Sequence, residues 1–542
     1  MFTITDQIIL DLKQAGITVF FGVQGGACAR IIQTVINNGC TYVPVLNEQA
    51  AGYAAHGYFL SKDKPAGIIL TTGPGVTNSI SGIASCYYDS IPTVVLMGQI
   101  KSELNLAKIF STKMHGFQEL PHLDLVDPVS DTSLNIKSEQ DYSSIREAIF
   151  QLNLKKNKVI SIEIQDDIQR LQISRMDDLE DHQGKITFDT NLSNSSQIEV
   201  KADLLLLGAG CRNSVSQNHI NNINQSGVPV ALSWGAQYLG PQLNNCIGIF
   251  GTHTPGFANE MLKKSIYPVV VGCSLLQHQI GKSSKLFLPN SNSIKFVNSD
   301  NQDINRAITI FGSRLNGHLS DSGNFFQDYK IINQENITDN KFNDEFYKDE
   351  MVPNLLSLVI QEFSNHGKYI FTDAGATLSW SYQAMNMKQN WSLGAQMFTS
   401  FNLHPMGFSN CALFGAGIES NEMSLAIIGD GSVPMNCQEF AQLKNKEHLK
   451  VVVVDNQGYG IIRQTQDAFY DGNHLGSSFE TIAPLPYFDV QNIVKGFDLS
   501  CVLYDESEVN QKNIISFFKG SDQVLILKVN NGLKVMTDFY KQ

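Results

Sequence analysis

The chain has 542 residues, 42% hydrophobic and 17% charged, enough for a large buried core and, at ~150 residues per domain, roughly three or four domains. A formal net charge of −13 argues against a nucleic-acid-binding surface and against a basic membrane patch. The charged fraction lies below the ~25% norm, which suits extensive contact between subunits.

Residues 1–171 alternate apolar runs with helical segments. Thr18-Val19-Phe20-Phe21-Gly22 reads as a strand ending at glycine, and Gly25-Gly26-Ala27 opens a helix running to Ile36. Tyr42 to Leu46 is a second strand, Glu48 to Leu60 an Ala-rich helix, Ala66 to Thr72 a third strand, Val76 to Asp89 a helix and Thr93 to Gly98 a fourth strand. This βαβα rhythm predicts an α/β fold with doubly wound parallel sheets. A polar stretch at 172–196 reads as a linker. A second α/β block (190–325) carries strands at 202–207, 229–232, 269–272 and 294–298. A further polar stretch, 314–350, precedes a third block (345–542) with strands at 369–372, 425–428, 451–454 and 523–529. Three α/β domains are expected.

Nine cysteines without a Cys-x-x-Cys pair read as reduced thiols of a cytoplasmic protein, not as a disulfide framework or a zinc site. The start, Met1 to Gln7, has no basic-then-apolar pattern, so no signal peptide is expected. No apolar run approaches ~18 residues, so no transmembrane helix is expected.

Asp430 and Asn456 form the most telling pair. Leu425 to Ile428 leads into Gly429-Asp430-Gly431-Ser432, and Val451 to Val454 leads into Asp455-Asn456, with twenty-four residues (432 through 455) between the Gly-Asp-Gly and the Asn. Two buried parallel strands would set both side chains at carboxyl ends of one sheet, where open α/β sheets bind ligands. A carboxylate, an amide oxygen and a nearby carbonyl make a hard oxygen site that suits Mg²⁺ bound to phosphates. The helix expected from about Met435 to Leu443 would aim its first N–H groups at an anion.

Glu48 opens a helix among small apolar residues, so it is expected to be buried, and a buried carboxyl can exchange a proton with a ring nitrogen. On the spacing alone, an acidic residue favoured by the helix dipole is the better reading. Gly73-Pro74-Gly75 is either a close backbone approach to a ligand or a tight turn. Gly208-Ala209-Gly210 follows a strand but lacks the third glycine of a dinucleotide fingerprint and reads as an ordinary turn. His115, His122, His253 and His404 lie near these motifs without metal-ligand spacing, and read as structural or polar lining.

Together these elements resemble the thiamine-diphosphate-dependent enzymes, in particular the large subunits of acetolactate (acetohydroxyacid) synthases. The matching stretches are Gly25-Gly26-Ala27, Glu48-Gln49, Gly73-Pro74-Gly75, Asp89-Ser90-Ile91-Pro92, Phe117-Gln118-Glu119, Met406-Gly407-Phe408 and Gly429 to Glu439. The resemblance implies a pyrimidine-binding first domain, a middle domain and a diphosphate-binding third domain. It also implies a homodimer or homotetramer with active sites between subunits. It makes Glu48 the catalytic carboxyl on the pyrimidine and Met406 the wedge that bends the cofactor, with the His404 carbonyl beside it. It makes Asp430, Asn456 and the Gly458 carbonyl the Mg²⁺ ligands. Gly25, Gly26, Gly73, Asn78, Gln118, Gly429, Gly431, Ser432, Tyr459, Gly460 and Ile461 complete the cofactor contacts it implies. Ala27, His115, Phe117, Gln118, Arg463 and Gln464 are its expected substrate contacts.

Two departures matter. The synthases carry Trp where this chain has Thr465, and a Phe-Asp-Asp-Arg segment where it has Gly272 to Gln279, so FAD is not expected. Tyr459 to Gln466 resembles synthase-like proteins of surface-polysaccharide gene clusters, which implies a polar acceptor such as a nucleotide-linked ketosugar, with Arg463 gripping its phosphate or carboxylate. The expected reaction is decarboxylation of a 2-keto acid, pyruvate first, with transfer of the acyl unit to a carbonyl acceptor. A simple decarboxylase and a catalytically silent homologue are the alternatives.

Overall fold

A computed structural model describes residues 2–153, 159–176, 198–212, 215–281, 286–298, 301–319, 325, 329–334 and 344–538. The expected linker from 177 onward, Asn213, parts of the 314–350 stretch and the last four residues lie outside them. The chain divides into two compact units. One comprises Met1–Asn191, Thr399–Val451 and Asp489–Cys501, the other Leu192–Phe398, Val452–Phe488 and Val502–Gln542.

In the first unit, β1 (Val19–Gly22), β2 (Thr41–Pro44), β3 (Ala66–Leu70), β4 (Thr93–Gln99), β5 (Thr132–Ile136) and β6 (Val159–Gln165) form a parallel sheet in the order β2-β1-β3-β4-β6-β5. Alternation sorts their side chains. Phe20, Ile69, Val94, Leu96, Ile160 and Ile162 join one core with α1 (Ile4–Gln14) and α2 (Ala29–Asn37). On α1, Ile4, Ile8, Ile9 and Leu12 recur at helical spacing, and a Thr3–Asp6 capping box starts the helix. Phe21, pointing the other way, meets Tyr58 of α3 (Glu48–Lys62) and Phe414 of the helix Phe408–Ala416 edge-on.

The Ala- and Gly-rich composition of α3 has a packing cause. A Cβ at Gly52 would run into the Gly82 backbone of α4 (Pro74–Tyr88), and one at Gly57 into the Ala412 backbone. Gly415 answers in kind against Ala54. Three helices therefore approach backbone to backbone, and every residue of α3 from Ala50 to Ser61 is buried.

In the second unit, among the described residues, β7 (Ile198–Ala202) pairs only with β14 (Tyr329–Asn333). β8 (Leu204–Leu207), β9 (Val230–Leu232), β10 (Cys246–Ile249), β11 (Pro268–Val271), β12 (Ile294–Val297) and β13 (Leu315–Leu319) form a parallel sheet ordered β10-β9-β8-β11-β12-β13. Leu204, Leu206, Val270 and Phe296 enter one core and Leu205, Leu207, Val269 and Val271 the other. Burial on both faces explains why these strands read as unbroken apolar runs. Gly208 and Gly210 lie against the Gly272 backbone, where a Cβ on Gly208 would clash. They serve close packing of two strand ends, as the ordinary-turn reading expects.

A third six-stranded sheet contains β15 (Gly367–Thr372), β16 (Gln396–Phe398), β17 (Met423–Gly429), β18 (Leu449–Asp455), β19 (Cys501–Asp505) and β20 (Val524–Lys528), ordered β16-β15-β17-β18-β20-β19. Counted from its own first strand, its order repeats that of the first sheet, whereas the middle sheet differs. The fold is α/β with three parallel six-stranded sheets. The helix expected over about 435–443 is a short 3-10 helix, Cys437–Leu443, and a second one, Asp430–Met435, precedes it. Pro434 lacks an N–H, and Asn436, at φ −143 and ψ 41, breaks the helical path between them. No helix among the described residues is long and apolar enough to cross a membrane.

Candidate active site

In the first unit the candidate site is built around the start of α3. Asn47 caps the helix, its Oδ1 accepting the Gln49 N–H at 2.9 Å. Glu48 comes next and is half-buried, not buried as expected; Asn47 and Gln49 beside it are half-buried too, and full burial of α3 begins only at Ala50. Asn78 on α4 donates from Nδ2 to Glu48 Oε2 at 3.2 Å, bringing two expected site residues together. Glu48 Oε1 lies 3.8 Å from where a Gly75 Cβ would stand.

Glu439 holds this helix start and was given no role of its own by the sequence. Its Oε1 accepts the N–H groups of Leu46 at 2.8 Å and Asn47 at 3.1 Å. Its side chain is fully buried, which raises its pKa, and the backbone donors work against that rise. Asn436 donates to Gln49 Oε1 and to the Gly407 carbonyl, both at 3.1 Å. The signal was present as the Gln438-Glu439 pair after the Gly-Asp-Gly, but its target lies almost four hundred positions away.

The glycines divide by role. Gly25 packs on Thr71, whose side chain a Cβ there would strike, and Gly75 packs on the same Thr71. Gly26 has nothing within 4 Å of its Cβ position. Gly73, at φ 68, starts α4 in a conformation that disfavours other residues. Its N–H donates to His122 Nε2 at 3.1 Å. A Cβ on it would meet Gln118 at 2.9 Å.

Gln118 itself sits at φ 60, and its carbonyl accepts the Thr72 hydroxyl at 3.0 Å. His115 and Phe117 are exposed on the same loop, Phe117 to 81%. Glu119 ties that loop by accepting the N–H groups of Ala107, His115 and Gly116 at 2.7–2.8 Å. Burial would raise its pKa, but the three backbone donors and His115 outweigh it and hold the carboxyl below its usual range. Ala27 is half-buried, with its carbonyl accepting from Gln169 at 2.8 Å.

His404, at φ 50, and Met406 are half-buried just before Gly407, which begins the helix Phe408–Ala416 at φ 79. Asp430 directly follows β17 and is 1% exposed; Ser432 is buried beside it in sequence.

In the second unit, Asn456 directly follows β18 and is buried. Gln457 (φ 58) and Gly458 (φ 130) then turn the chain, and Tyr459 N–H donates to the Ser477 carbonyl at 2.9 Å. A helix, Gly460–Phe469, follows. Gly460 is needed because a Cβ there would strike the Asn456 side chain.

Arg463 and Gln464, expected to face an acceptor, point into the chain's own backbone. Arg463 is 5% exposed and donates to the carbonyls of Gln457, Asn456 and Asn531 at 2.8–2.9 Å. Gln464 donates to the Val535 carbonyl at 2.9 Å and accepts the Val535 N–H at 2.8 Å. The reason is rotational: this face of the helix looks at the 531–535 segment.

Residues 2–125 match the family model described as the thiamine pyrophosphate enzyme N-terminal TPP binding domain, and residues 373–527 match the C-terminal TPP binding domain. The acetolactate synthase large subunit of Lactococcus lactis is 25% identical over 88% of this chain and 84% of its own length. Acetolactate synthase 1, chloroplastic, of Nicotiana tabacum is 27% identical over 86% of this chain and 72% of its own. Benzoylformate decarboxylase from Polynucleobacter necessarius shares the fold at a TM-score of 0.76 and 15% identity, with 99% of this chain and 100% of that one covered. The chain belongs to the thiamine-pyrophosphate-dependent enzyme superfamily, with distant similarity along most of its length to acetolactate synthase large subunits.

Proposed function

We propose that this protein is a thiamine-diphosphate- and Mg²⁺-dependent transferase that decarboxylates pyruvate and joins the acyl unit to a polar carbonyl acceptor, such as a nucleotide-linked ketosugar. The observation that carries the reading is Glu48 at the head of α3, with one oxygen on Asn78 and its helix start held by Glu439. When bound, thiamine diphosphate supplies the carbon nucleophile and the electron sink for loss of CO₂. Glu48 holds and returns a proton at a ring nitrogen of the pyrimidine, and its partial exposure leaves it open to a ligand.

Asp430, Asn456 and the Gly458 carbonyl ligate Mg²⁺. A carboxylate, an amide oxygen and a backbone carbonyl form the hard oxygen set this ion takes. Gly25, Gly26, Gly73, Gln118, Met406 and the Gly429 to Ser432 turn shape the cofactor cleft, and His115 and Phe117 face the substrate. The working form is a cytoplasmic homodimer or homotetramer of three-domain subunits. Relatives named acetolactate synthases along most of the chain favour joining over simple decarboxylation.

The test is release of CO₂ from carboxyl-labelled pyruvate with cofactor and Mg²⁺, with and without a panel of carbonyl acceptors. Release that needs or accelerates with one acceptor supports the reading. Steady release giving acetaldehyde makes the protein a decarboxylase. No release, with no exchange of the cofactor C2 proton, makes it a silent homologue.

A further inference from the structure

We infer that Arg463 is a positioning residue for the divalent-cation loop, resting on the reading above in which Asn456 and Gly458 are metal ligands. Asn456, Gln457 and Gly458 form a turn with two successive positive φ angles, at Gln457 (58) and Gly458 (130). For Gln457 that left-handed conformation is unfavourable by itself, so the surroundings must impose it. Arg463 supplies the restraint. Its Nη2 donates to the Asn456 carbonyl at 2.9 Å and its Nη1 to the Gln457 carbonyl at 2.8 Å, so both peptide units leading to Gly458 are oriented by one rigid, planar group.

Three further observations give the clamp its shape. A Cβ on Gly458 would come within 2.9 Å of Arg463 Nη1 and strike the Ser477 carbonyl, so the loop and the guanidinium are in close contact. Arg463 Nη2 also donates to the Asn531 carbonyl at 2.8 Å, anchoring the clamp to a second segment. Gln464 then binds Val535 in both directions, and Lys534 Nζ meets Asp467 Oδ2 at 2.8 Å, so helix Gly460–Phe469 is fastened along the 531–535 segment. Farther on, Asp538 donates its N–H to the Thr252 carbonyl at 2.7 Å and its carboxylate meets Lys263 at 3.0 Å. The cation loop is thereby held from behind by a chain of contacts that ends on the middle sheet's helices and loops. A side chain that orients a metal ligand's peptide, without touching the ion, sets how much reorganisation binding costs, and loss of such a partner typically weakens metal affinity about 10–100-fold.

The test measures binding of Mn²⁺, as a probe for Mg²⁺, by the electron paramagnetic resonance of the free ion, on the full chain with saturating thiamine diphosphate. The metal-free thermal midpoint is measured beside it. Arg463→Met should weaken Mn²⁺ binding about tenfold or more. Arg463→Lys keeps the charge but reaches fewer carbonyls, and should fall between the two; it decides the question should the Met variant not fold. A merely structural role would lower the metal-free midpoint and leave the Mn²⁺ constant within twofold of the parent, and that result overturns the inference. Asn456→Ala separates the two levels. If it weakens Mn²⁺ while Arg463→Met does not, the inference alone fails. If it too changes nothing, the metal-ligand reading fails and takes the inference with it.

Discussion

His122 and Glu163 lock the turn that precedes α4. Glu163 Oε2 lies 3.0 Å from His122 Nδ1, and His122 Nε2 accepts the Gly73 N–H at 3.1 Å, so the ring donates on one side and accepts on the other. Gln99 donates to the same carboxylate oxygen at 3.2 Å, and Asn135 donates to the other at 3.0 Å. Both members are almost fully buried.

His122→Phe removes the partner of a buried carboxylate and of the Gly73 N–H at once. Leaving a buried donor or acceptor without its partner is expected to cost about 1–3 kcal/mol each. Urea unfolding should register that loss. Glu163→Gln, which keeps a hydrogen-bond acceptor, should lose less; equal losses would argue against the pairing.

Glu48→Gln tests the proposed catalytic carboxyl. Loss of a general acid–base group is expected to slow CO₂ release from pyruvate by about 10²–10⁴-fold. Thiamine diphosphate binding, followed by quenching of intrinsic fluorescence, should remain. Asn78→Ala, which frees Glu48 Oε2, should show a smaller fall in the same direction. Unchanged turnover in Glu48→Gln would remove the catalytic reading.

Glu439 should tolerate Gln and not Ala. One oxygen, Oε1, accepts both the Leu46 and the Asn47 N–H, so the amide oxygen of Gln can replace it. Ala leaves two backbone donors unmet, at a cost of about 1–3 kcal/mol each. Turnover should fall with Ala because the head of α3, and Glu48 with it, loses its anchor. Unfolding free energies and kcat for the two variants measure both effects.

Asp89 sets a pH dependence. Burial pushes its carboxyl up to about 7, against the pull of the Phe401 and Asn402 N–H groups, which it accepts at 2.6 and 2.9 Å. His56 Nε2 stands 3.6 Å from Asp89 Oδ2, and burial is the largest influence on the carboxyl. With the folded pKa raised, the folded chain keeps a proton that the unfolded chain has released. This group's contribution to stability is therefore full below about pH 4 and is lost as pH rises to about 7. The difference in unfolding free energy between the parent and Asp89→Asn should fall over that window by roughly 2–4 kcal/mol. A difference that stays flat from pH 4 to pH 7 would contradict the raised pKa.

Much of the fold was legible because parallel strands buried on both faces leave unbroken apolar runs. β3, β4, β8, β11, β17 and β18 all stand where such runs were read. The strands not anticipated include edge strands: β5 and β19 are only partly buried along their length, and β16 has three residues. A half-solvated strand needs fewer apolar residues and leaves a weaker trace. β6, Val159–Gln165, is fully buried and its Val-Ile-Ser-Ile-Glu-Ile pattern was readable.

The candidate site divides the same way. Glu48, Gly73, Asp430 and Asn456 were singled out because residue type and local pattern suffice for them: a carboxyl at a helix start, a glycine at a turn, polar groups just beyond strand ends. By itself the sequence determined the α/β class and the family resemblance, and it singled out those candidate positions, since each depends on periodicity or a short motif. Only the tertiary structure decided that Glu439 anchors Leu46 and Asn47, that Glu48 stays half-exposed, and that Arg463 faces Asn456 and Asn531 instead of an acceptor. Each helix residue turns its side chain by about 100° from the one before, so its partner is set by which distant segment packs on that face.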